Sequence, residues 1–280
     1  MNASAAVERR LRLADRAAAA YIANPHVAAV LVAGSVARGL ADDFSDIELD
    51  VYWAAPPTDE ERTAAVEGAG WERVYAEVDD DEWADGYLVD GVKVDTSGFV
   101  TSTIEGHLDA VLERSDTEPE RQVRITALLD GRALHGRPVI EAWRSRCRDY
   151  PTGLALAMVD AAMELRPRER LEMLAARDDV LLLHRDLVDS AQRILDALFA
   201  VNRVYVPHPF HKWLDWEASL LAHVPTDVVP RLRRLLVAPP HLAVQELCAL
   251  TIETFDLIER LLPGADLTQA RASFESRRTS

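Results

Sequence analysis

The chain has 280 residues, of which 49% are hydrophobic, and this is enough to bury a core in each of two domains. It carries 31 basic and 47 acidic residues, so its formal net charge at pH 7 is −16. That charge disfavours DNA or tRNA as a substrate, because nucleic-acid binding needs a basic surface, and it favours a small molecule that carries an amine.

Two further features of the sequence concern the compartment. No run of about eighteen apolar residues could span a membrane, and the first residues lack the pattern of a signal peptide. Cys147 and Cys248 lie far apart in segments with helical patterns, so we expect two buried free thiols, as in a reducing cytoplasm. We therefore expect a cytoplasmic protein, and the sequence leaves open whether it is a monomer or a homodimer.

Helix and strand patterns alternate at the start of the chain. Residues 4–23 have the apolar spacing of an amphipathic helix. Residues 27–33 are apolar and partly β-branched, as in a buried strand, and a second strand covers residues 46–53. Thr58, with Glu61 three residues later, has the pattern of a capping box and predicts the start of a helix.

The following segment predicts the rest of a small sheet. Residues 71–78 have the pattern of a strand, and the acidic run at 79–82 is typical of a solvated turn. Asp90-Gly91 stands between two apolar runs, at 86–89 and 92–96, which indicates a β-hairpin with a type I′ turn. Together these strands predict a mixed sheet with helices packed against it.

Strand signals nearly vanish after residue 100, and helical spacing then alternates with prolines. A turn is expected at 130–132, and a domain boundary near Pro151. The expected fold class is α+β, with a mixed β-sheet domain and flanking helices at 1–150 and an all-α helical bundle at 151–280. The helices predicted in this half cover residues 101–114, 118–129, 138–149, 152–175, 178–202, 210–223, 227–237 and 241–262.

A glycine-serine turn follows the first predicted strand. Gly34 stands where the backbone must turn, and where a side chain would block a closely approaching ligand. Ser35 adds a hydroxyl group, and Arg38-Gly39 can open a short helix or loop. Backbone N–H groups exposed in such a turn suit a phosphate.

Two carboxylates follow at the second predicted strand. Asp46 and Glu48 are two residues apart, so a strand places both on one face, and Ser45 precedes them. Carboxylates beside a phosphate-binding turn provide the oxygen ligands that Mg²⁺ requires. The pattern therefore predicts a magnesium and phosphate site, with Asp50 further along the same face as a supporting group.

These residues resemble the signature of the nucleotidyltransferase superfamily that includes DNA polymerase β and the antibiotic nucleotidyltransferases. That signature is Gly-Ser, a Gly a few residues later and, after a short gap, Ser-Asp-x-Asp/Glu. Here it reads Gly34-Ser35, then Gly39, then Ser45-Asp46-Ile47-Glu48, with Glu where Asp is commoner. The resemblance covers residues 27–100 closely and the helical half loosely.

The resemblance implies a third carboxylate on a later strand, and Asp95, which shares a strand face with Lys93, takes that place. Asp46, Glu48 and Asp95 would then be catalytic and would hold the metal, expected to be two Mg²⁺ ions that Mn²⁺ can replace. Asp95 would either ligate the second ion or accept the proton of the acceptor hydroxyl. The residues that would cradle the phosphates of the nucleotide are Gly34, Ser35, Arg38 and Ser45.

In the helical half, residues 198–214 resemble a segment of the helical domains appended to antibiotic-type nucleotidyltransferases. In those domains a helix that carries Asn, Tyr and then Lys faces the cleft, and the Lys meets the triphosphate. The resemblance thus implies that Lys212 contacts a phosphate, and that Asn202 and Tyr205, one turn apart on a helix, bind nucleotide or substrate. The alternative is a helix end where Asn202 is the C-cap and Tyr205 is half-buried.

The activity that the resemblance implies is metal-dependent transfer of a nucleoside monophosphate to a hydroxyl of a small molecule, with release of pyrophosphate. The group transferred is expected to be AMP from ATP, or the corresponding monophosphate from another NTP. An aminoglycoside or lincosamide is the acceptor that the helical domain and the acidic charge suggest, and this would be an antibiotic-resistance activity. Two alternatives stay open. One is transfer of AMP to a protein, as in antitoxin-type nucleotidyltransferases, and the other is a non-catalytic nucleotide-binding regulatory protein on the same fold.

Overall fold

The computed structural model describes residues 3–79 and 82–277. The chain divides into two compact units, the first built from the chain up to Ala110 together with Arg124–Asp149, and the second from Val111–Val123 together with the chain from Tyr150 onward. A mixed six-stranded sheet lies in the first unit, and the described part of the second unit is helical. The α+β fold class expected from the sequence is confirmed.

The sheet has the strand order β3-β4-β5-β2-β1-β6. The β2 and β5 strands run parallel, and every other neighbouring pair is antiparallel. The strands are β1 (Val27–Val32), β2 (Ile47–Trp53), β3 (Glu72–Asp79), β4 (Glu82–Val89), β5 (Val92–Val100) and β6 (Arg132–His135).

Alternation along β2 decides which face of the sheet is apolar. Ile47, Leu49 and Val51 are buried in a core shared with the first helix, α1 (Ala3–Ile22), whose Ala14 and Ala18 are also buried there. Successive side chains of a strand point to opposite faces, so Glu48 and Asp50 lie on the face away from α1. The polar residues of the candidate site therefore lie on the face of the sheet opposite that core.

Most of the helices between residues 34 and 147 begin and end close to the predicted positions; the short helix at 34–37 is the exception, and the helices at 101–114 and 119–130 belong partly to the second unit. Thr58 caps its helix with Glu61, and both hydrogen bonds of the capping box are present, as the sequence predicts. Asp90 and Gly91 have φ angles of 49° and 75°, as a type I′ turn between β4 and β5 requires, which confirms the predicted hairpin. These helices are α2 (Gly34–Ala37), α3 (Asp59–Glu67), α4 (Thr101–Arg114), α5 (Pro119–Asp130) and α6 (Arg137–Cys147).

The turn predicted at 130–132 is only partly correct, because Arg132 opens strand β6. This strand has four residues and pairs with the free edge of β1, with Ala133 opposite Leu31. Its side chains are exposed or half-buried, so it shows neither an apolar run nor a clear alternation. Of the predicted acidic turn, Asp80 and Asp81 lie outside the described residues.

The second unit is a set of helices whose order follows the prediction with two corrections. The segment 152–175 is two helices, because a helix rarely continues into a proline and Pro167 separates them. The segment 210–223 holds only a six-residue helix. The helices are α7 (Thr152–Ala162), α8 (Arg168–Ala176), α9 (Val180–Val201), α10 (Leu214–Ser219), α11 (Val228–Arg234), α12 (Pro240–Leu261) and α13 (Thr268–Glu275).

Both cysteines are buried and unbridged, as predicted, and burial raises the pKa of each thiol, Cys147 and Cys248, to about 11. Thiols of this kind stay protonated and unreactive at neutral pH. Among the described residues, none of the helices combines the length and the apolar character needed to cross a membrane.

Candidate functional site

Gly34 forms the turn that follows strand β1. Its φ is +62°, a left-handed conformation that glycine adopts without strain, and the backbone N–H of the preceding Ala33 donates to the carbonyl of Glu48 at 2.9 Å. The short helix predicted to open at Arg38-Gly39 instead comprises Gly34–Ala37, and Gly39, with φ +74°, follows its end. Ser35 is therefore inside this helical turn.

The carboxylate of Glu48 lies directly against Gly34. A Cβ atom built on Gly34 would be 2.2 Å from Glu48 Oε2 and 2.9 Å from Oε1, so a side chain at that position would displace the Glu48 carboxylate. Gly39 also has a positive φ, but a Cβ built there would meet no atom within 4 Å. The backbone conformation thus favours glycine at position 34, and any side chain there would also move the exposed end of Glu48.

The contact predicts different costs for two otherwise similar substitutions. Gly39→Ala should lower the free energy of unfolding by about 1 kcal/mol through backbone strain alone, whereas Gly34→Ala should cost slightly more, about 1.5 kcal/mol, because it also displaces the exposed carboxylate end of Glu48. Urea denaturation of both variants measures the difference. Equal costs would show that Glu48 does not press on Gly34.

Asp46 and Asp95 come together at the ends of two parallel strands. The β2–β5 register places Glu48 opposite Asp95, and the carboxyl of Asp46, one residue before β2, is hydrogen-bonded to that of Asp95. Burial, and next the charge and hydrogen bond of Asp95, raise the pKa of Asp46. Two acids in contact hold a strong negative potential, which is the electrostatic character of a cation site.

Besides Asp46, two donor groups contact the carboxylate of Asp95. The Tyr75 hydroxyl donates to Asp95 Oδ1 at 2.8 Å, and Lys93 Nζ lies 2.8 Å from the same oxygen. The Lys93 ammonium also lies 5.1 Å from the centre of the Tyr75 ring, within the range of a cation–π contact. Burial and the hydrogen bond to Asp95 raise the pKa of Tyr75 well above its usual value.

Sequence reasoning placed Lys93 on the face of Asp95 but missed Tyr75. Tyr75 belongs to β3, two strands away from β5, and its ring crosses over Gly86 of β4, where a Cβ would be 2.1 Å from the ring. The pairing of a glycine with an aromatic residue in the neighbouring strand could have indicated that the Tyr75 ring reaches across β4. This pairing can be recognised only when the register of the two strands is known.

Gly86→Ala is expected to push the Tyr75 ring away from Asp95. Freed from its buried hydrogen bond, the Tyr75 phenol should titrate near its usual pKa of about 10, and absorbance at 295 nm should show one more tyrosine ionising there than in the wild type. The ring can swing outward, so the stability cost should stay below about 1.5 kcal/mol. Gly106→Ala, where a Cβ meets nothing within 4 Å, is the control, and identical titrations of Gly86→Ala and wild type would contradict the placement.

Two of the predicted phosphate-cradling residues make contacts within the fold. Ser45 Oγ donates to Asp42 Oδ1 and accepts from the Asp42 N–H, both at 3.0 Å, which closes the loop before β2. Arg38 Nε donates to Asp130 Oδ2 at 3.1 Å. The Ser45 contacts fix the loop directly before Asp46, and in this structure both sets of contacts occupy groups that the sequence assigned to phosphate.

Asp50 is a buried acid on the same face of the sheet. Its side chain accepts a hydrogen bond from the Tyr52 hydroxyl at 3.2 Å, and burial raises the pKa of both groups. The Tyr52 ring packs edge-on against Trp143 of α6, with centroids 5.0 Å apart. Asp50 is therefore part of the packing beneath the site, as the sequence indicated.

The structure brings together two of the three predicted metal ligands. Among the described residues, no group of three or more His, Cys, Asp or Glu side chains is arranged to hold a metal ion. Asp46 and Asp95 nonetheless fit a hard divalent cation, because they offer paired carboxylate oxygens whose repulsion a cation would relieve. Glu48 lies opposite Asp95 but has its carboxylate against Gly34.

In the second unit, Asn202 and Tyr205 occupy structural positions. Helix α9 ends at Val201, so the two residues do not share a helix face, and Asn202 is its C-cap. The Asn202 amide donates to the carbonyls of Leu198 and His223, and its oxygen accepts from the His223 N–H, at 2.7, 2.8 and 2.8 Å. Tyr205 is buried with its ring 4.7 Å from that of Tyr150. The C-cap position of Asn202 agrees with the structural alternative, whereas Tyr205 is buried rather than half-buried.

Lys212 is exposed in the loop between α9 and α10. The residues on either side of it, His211 and Trp213, have φ angles of 51° and 57°, so the backbone makes a tight turn at the lysine. The His211 side chain is buried, and both of its ring nitrogens are held by carboxylates. Nδ1 contacts Glu217 Oε2 at 2.9 Å, and Nε2 contacts Asp196 Oδ1 at 3.2 Å. This ionic cluster fixes the loop that presents Lys212.

A sequence profile of a domain of unknown function, DUF4037, matches residues 119–214, from the start of α5 to the start of α10. None of the curated proteins compared is significantly similar in sequence. Among solved structures, the chain is similar to the crystal structure of a nucleotidyltransferase-like protein from Exiguobacterium sibiricum 255-15. The two are 14% identical with a TM-score of 0.42, and the alignment covers 91% of this chain and 83% of that one.

Proposed function

We propose that the protein is a metal-dependent nucleotidyltransferase that moves a nucleoside monophosphate from an NTP to a hydroxyl of a small molecule. The observation that carries the proposal is the contact between Asp46 and Asp95 on the face of the sheet that also holds Glu48 and the glycine turn at Gly34. A pair of acids with this repulsion costs stability, and cation chemistry at the pair accounts for its presence.

Each residue of this set has a role in the proposed reaction. Asp46 and Asp95 would hold the cation, with Glu48 as the third carboxylate of the same face. A bound Mg²⁺ or Mn²⁺ would supply charge stabilisation to the phosphates and to the departing pyrophosphate. The turn at Gly34-Ser35 would give backbone N–H groups to the phosphates.

The proposed transfer is a single displacement. The acceptor oxygen forms a bond to the α-phosphorus, the bond from that phosphorus to the β-phosphate oxygen breaks, and pyrophosphate leaves while the hydroxyl proton passes to solvent. We assign Asp95 to cation binding rather than to proton transfer, because Asp46 is within hydrogen-bonding distance of it. Lys212 remains our proposal for a phosphate contact, since its side chain is exposed and cationic.

The acceptor is proposed to carry an amine, because the chain has a net charge of −16 and an acidic surface raises the local concentration of cations. Aminoglycosides and lincosamides have both amines and free hydroxyls, and they are the acceptors with which to begin. The preferred NTP is proposed to be ATP.

The test is pyrophosphate release from each of the four NTPs, with Mg²⁺ or Mn²⁺, across a panel of aminoglycosides and lincosamides. Release of pyrophosphate is expected only with a divalent cation and a suitable acceptor. The mass of the acceptor should increase by that of one nucleotidyl group. Asp90→Asn is the matched control variant, because Asp90 is an exposed acid in the hairpin turn, where Asn tolerates the same φ.

Other outcomes separate the alternatives. Incorporation of radiolabelled AMP into proteins of a cell extract, with no release on the small-molecule panel, would favour a protein acceptor. Binding of ATP without pyrophosphate release under any condition would favour a regulatory nucleotide-binding protein. Absence of both binding and release would refute the proposed function.

A further inference from the structure

Lysine is rare in this chain, and one of its lysines lies on the candidate site. The 280 residues contain two lysines, Lys93 and Lys212, among 31 basic residues. Lys93 Nζ lies 2.8 Å from Asp95 Oδ1, the same oxygen that accepts the Tyr75 hydroxyl at 2.8 Å. The ammonium is therefore placed on the carboxylate that the proposed function assigns to a metal ion.

The charge of Lys93 partly offsets the repulsion between the two carboxylates. Asp46 and Asp95 are hydrogen-bonded to each other, and the charge of Lys93 opposes the effects that raise the pKa of Asp46. One positive charge beside two acids compensates part of their repulsion. In this respect Lys93 provides the charge that a bound cation would otherwise provide.

The surroundings allow Lys93 to leave while Asp95 stays in place. Lys93 is on a flexible four-carbon stem and its side chain is 42% exposed, whereas the side chain of Asp95 is 21% exposed. The Tyr75 hydroxyl holds Asp95 Oδ1 independently of the lysine, and the Tyr75 ring is itself fixed over Gly86. Departure of the ammonium would leave an oriented carboxylate rather than a disordered one.

We propose that Lys93 is an internal counter-cation that competes with a divalent metal ion for Asp95 and thereby sets the metal affinity of the site. An ammonium and a divalent ion cannot both contact one carboxylate oxygen without strong repulsion, so metal binding requires Lys93 to move. The proposal rests on the proposed function in one respect, the assignment of Asp46 and Asp95 to cation binding.

The scarcity of lysine makes the displacement measurable in the wild-type protein. A short pulse of acetic anhydride acetylates neutral amines, and mass spectrometry reads Lys93 and Lys212 separately, so Lys212 is an internal reference. Added MgCl₂ should raise acetylation of Lys93 about three- to tenfold, because a metal ion on Asp95 displaces the Lys93 side chain from its ion pair and exposes the amine to the reagent. Lys212 should be unchanged, and NaCl at the same ionic strength should change neither. An unchanged Lys93 at saturating Mg²⁺ would overturn the proposal.

Binding of Mn²⁺ alone, measured by electron paramagnetic resonance, is the second test. Lys93→Gln should bind Mn²⁺ about three- to tenfold more tightly than the wild type, the size expected for loss of one partly exposed ion pair. Arg137→Gln, which removes the positive charge of an 82% exposed side chain of α6, should match the wild type, and Asp46→Asn should bind weakly.

The variants distinguish failure of this inference from failure of the proposed function. If the wild type binds Mn²⁺, Asp46→Asn does not, and Lys93→Gln is no tighter than the wild type, then the cation site stands and the competition by Lys93 is refuted. If the wild type itself shows no binding that depends on Asp46, both the cation site and the competition are refuted.

Discussion

Asp46→Asn should lose nucleotidyl transfer by at least about 100-fold and at the same time become more thermally stable. The loss follows from removal of one of two carboxylates proposed to hold the cation, in the range seen when a group that stabilises transition-state charge is deleted. The gain follows because burial and Asp95 hold the pKa of Asp46 above its usual value, so its ionised form is disfavoured in the fold. Asparagine has the same shape without the charge, and the expected gain is about 1 kcal/mol.

Both effects are measured with one protein preparation. Thermal unfolding at pH 7 in EDTA, where no metal ion compensates the charge, gives the stability, and pyrophosphate release with Mg²⁺ gives the activity. Asp90→Asn removes an exposed carboxylate in the turn between β4 and β5 and should leave activity intact. If Asp46→Asn is less stable than the wild type, the Asp46 carboxylate supports the fold, and this result would argue against a repulsive pair.

His211→Gln should remove much of the pH dependence of stability in the second unit. Burial alone would lower the pKa of His211, but hydrogen bonds to Asp196 and Glu217, and their charges, raise it to about 9. Glu217 is only 1% exposed and the imidazole 3%, so this ionic cluster is poorly screened by solvent. Against the usual histidine pKa of about 6.5, the shift corresponds to about 3 kcal/mol of stability.

The direction of the pH effect follows from the raised pKa. The stability that His211 contributes is fully present below pH 6.5 and is lost as the pH rises through about 9. In urea denaturation at pH 6, 8 and 10, the wild type should lose this contribution and His211→Gln should not, so that the two converge at pH 10. His184→Gln, in α9, is the control, because His184 contacts only the Val180 carbonyl among the partners observed. Parallel pH profiles for the wild type and His211→Gln would contradict the protonated cluster.

Local patterns of the sequence were sufficient for several features of the fold. The capping box at Thr58 and the Asp90-Gly91 turn depend only on residues close in sequence, and both are present as predicted. The alternation along β2 likewise places Glu48 on the polar face of the sheet. Such features follow from backbone geometry and do not require knowledge of the tertiary contacts.

Features that depend on long-range contacts were not predictable in this way. Ser45 belongs to a loop fastened by Asp42, and Asn202 binds His223, so each polar group is used by a partner that no spacing rule identifies. Strand β6 exists because the edge of β1 is available to it, rather than because residues 132–135 have strong strand character. Tyr75 reaches Asp95 only because β4 offers a glycine beneath its ring.

The path of the chain between the two units has a consequence for how the protein can be divided. Residues 111–123 belong to the second unit although the chain before and after them belongs to the first, so a cut at residue 150 does not separate the two. Gln122 in that segment is fully buried, and its amide oxygen accepts the Val206 N–H at 3.2 Å while its nitrogen donates to the Thr117 carbonyl at 3.2 Å. A fragment that begins at residue 150 would lack this partner, and we expect it to unfold at lower temperature than the second unit within the full chain. The helical half therefore cannot be transferred as a C-terminal segment alone, and a chimera that exchanges it would have to carry residues 111–123 as well.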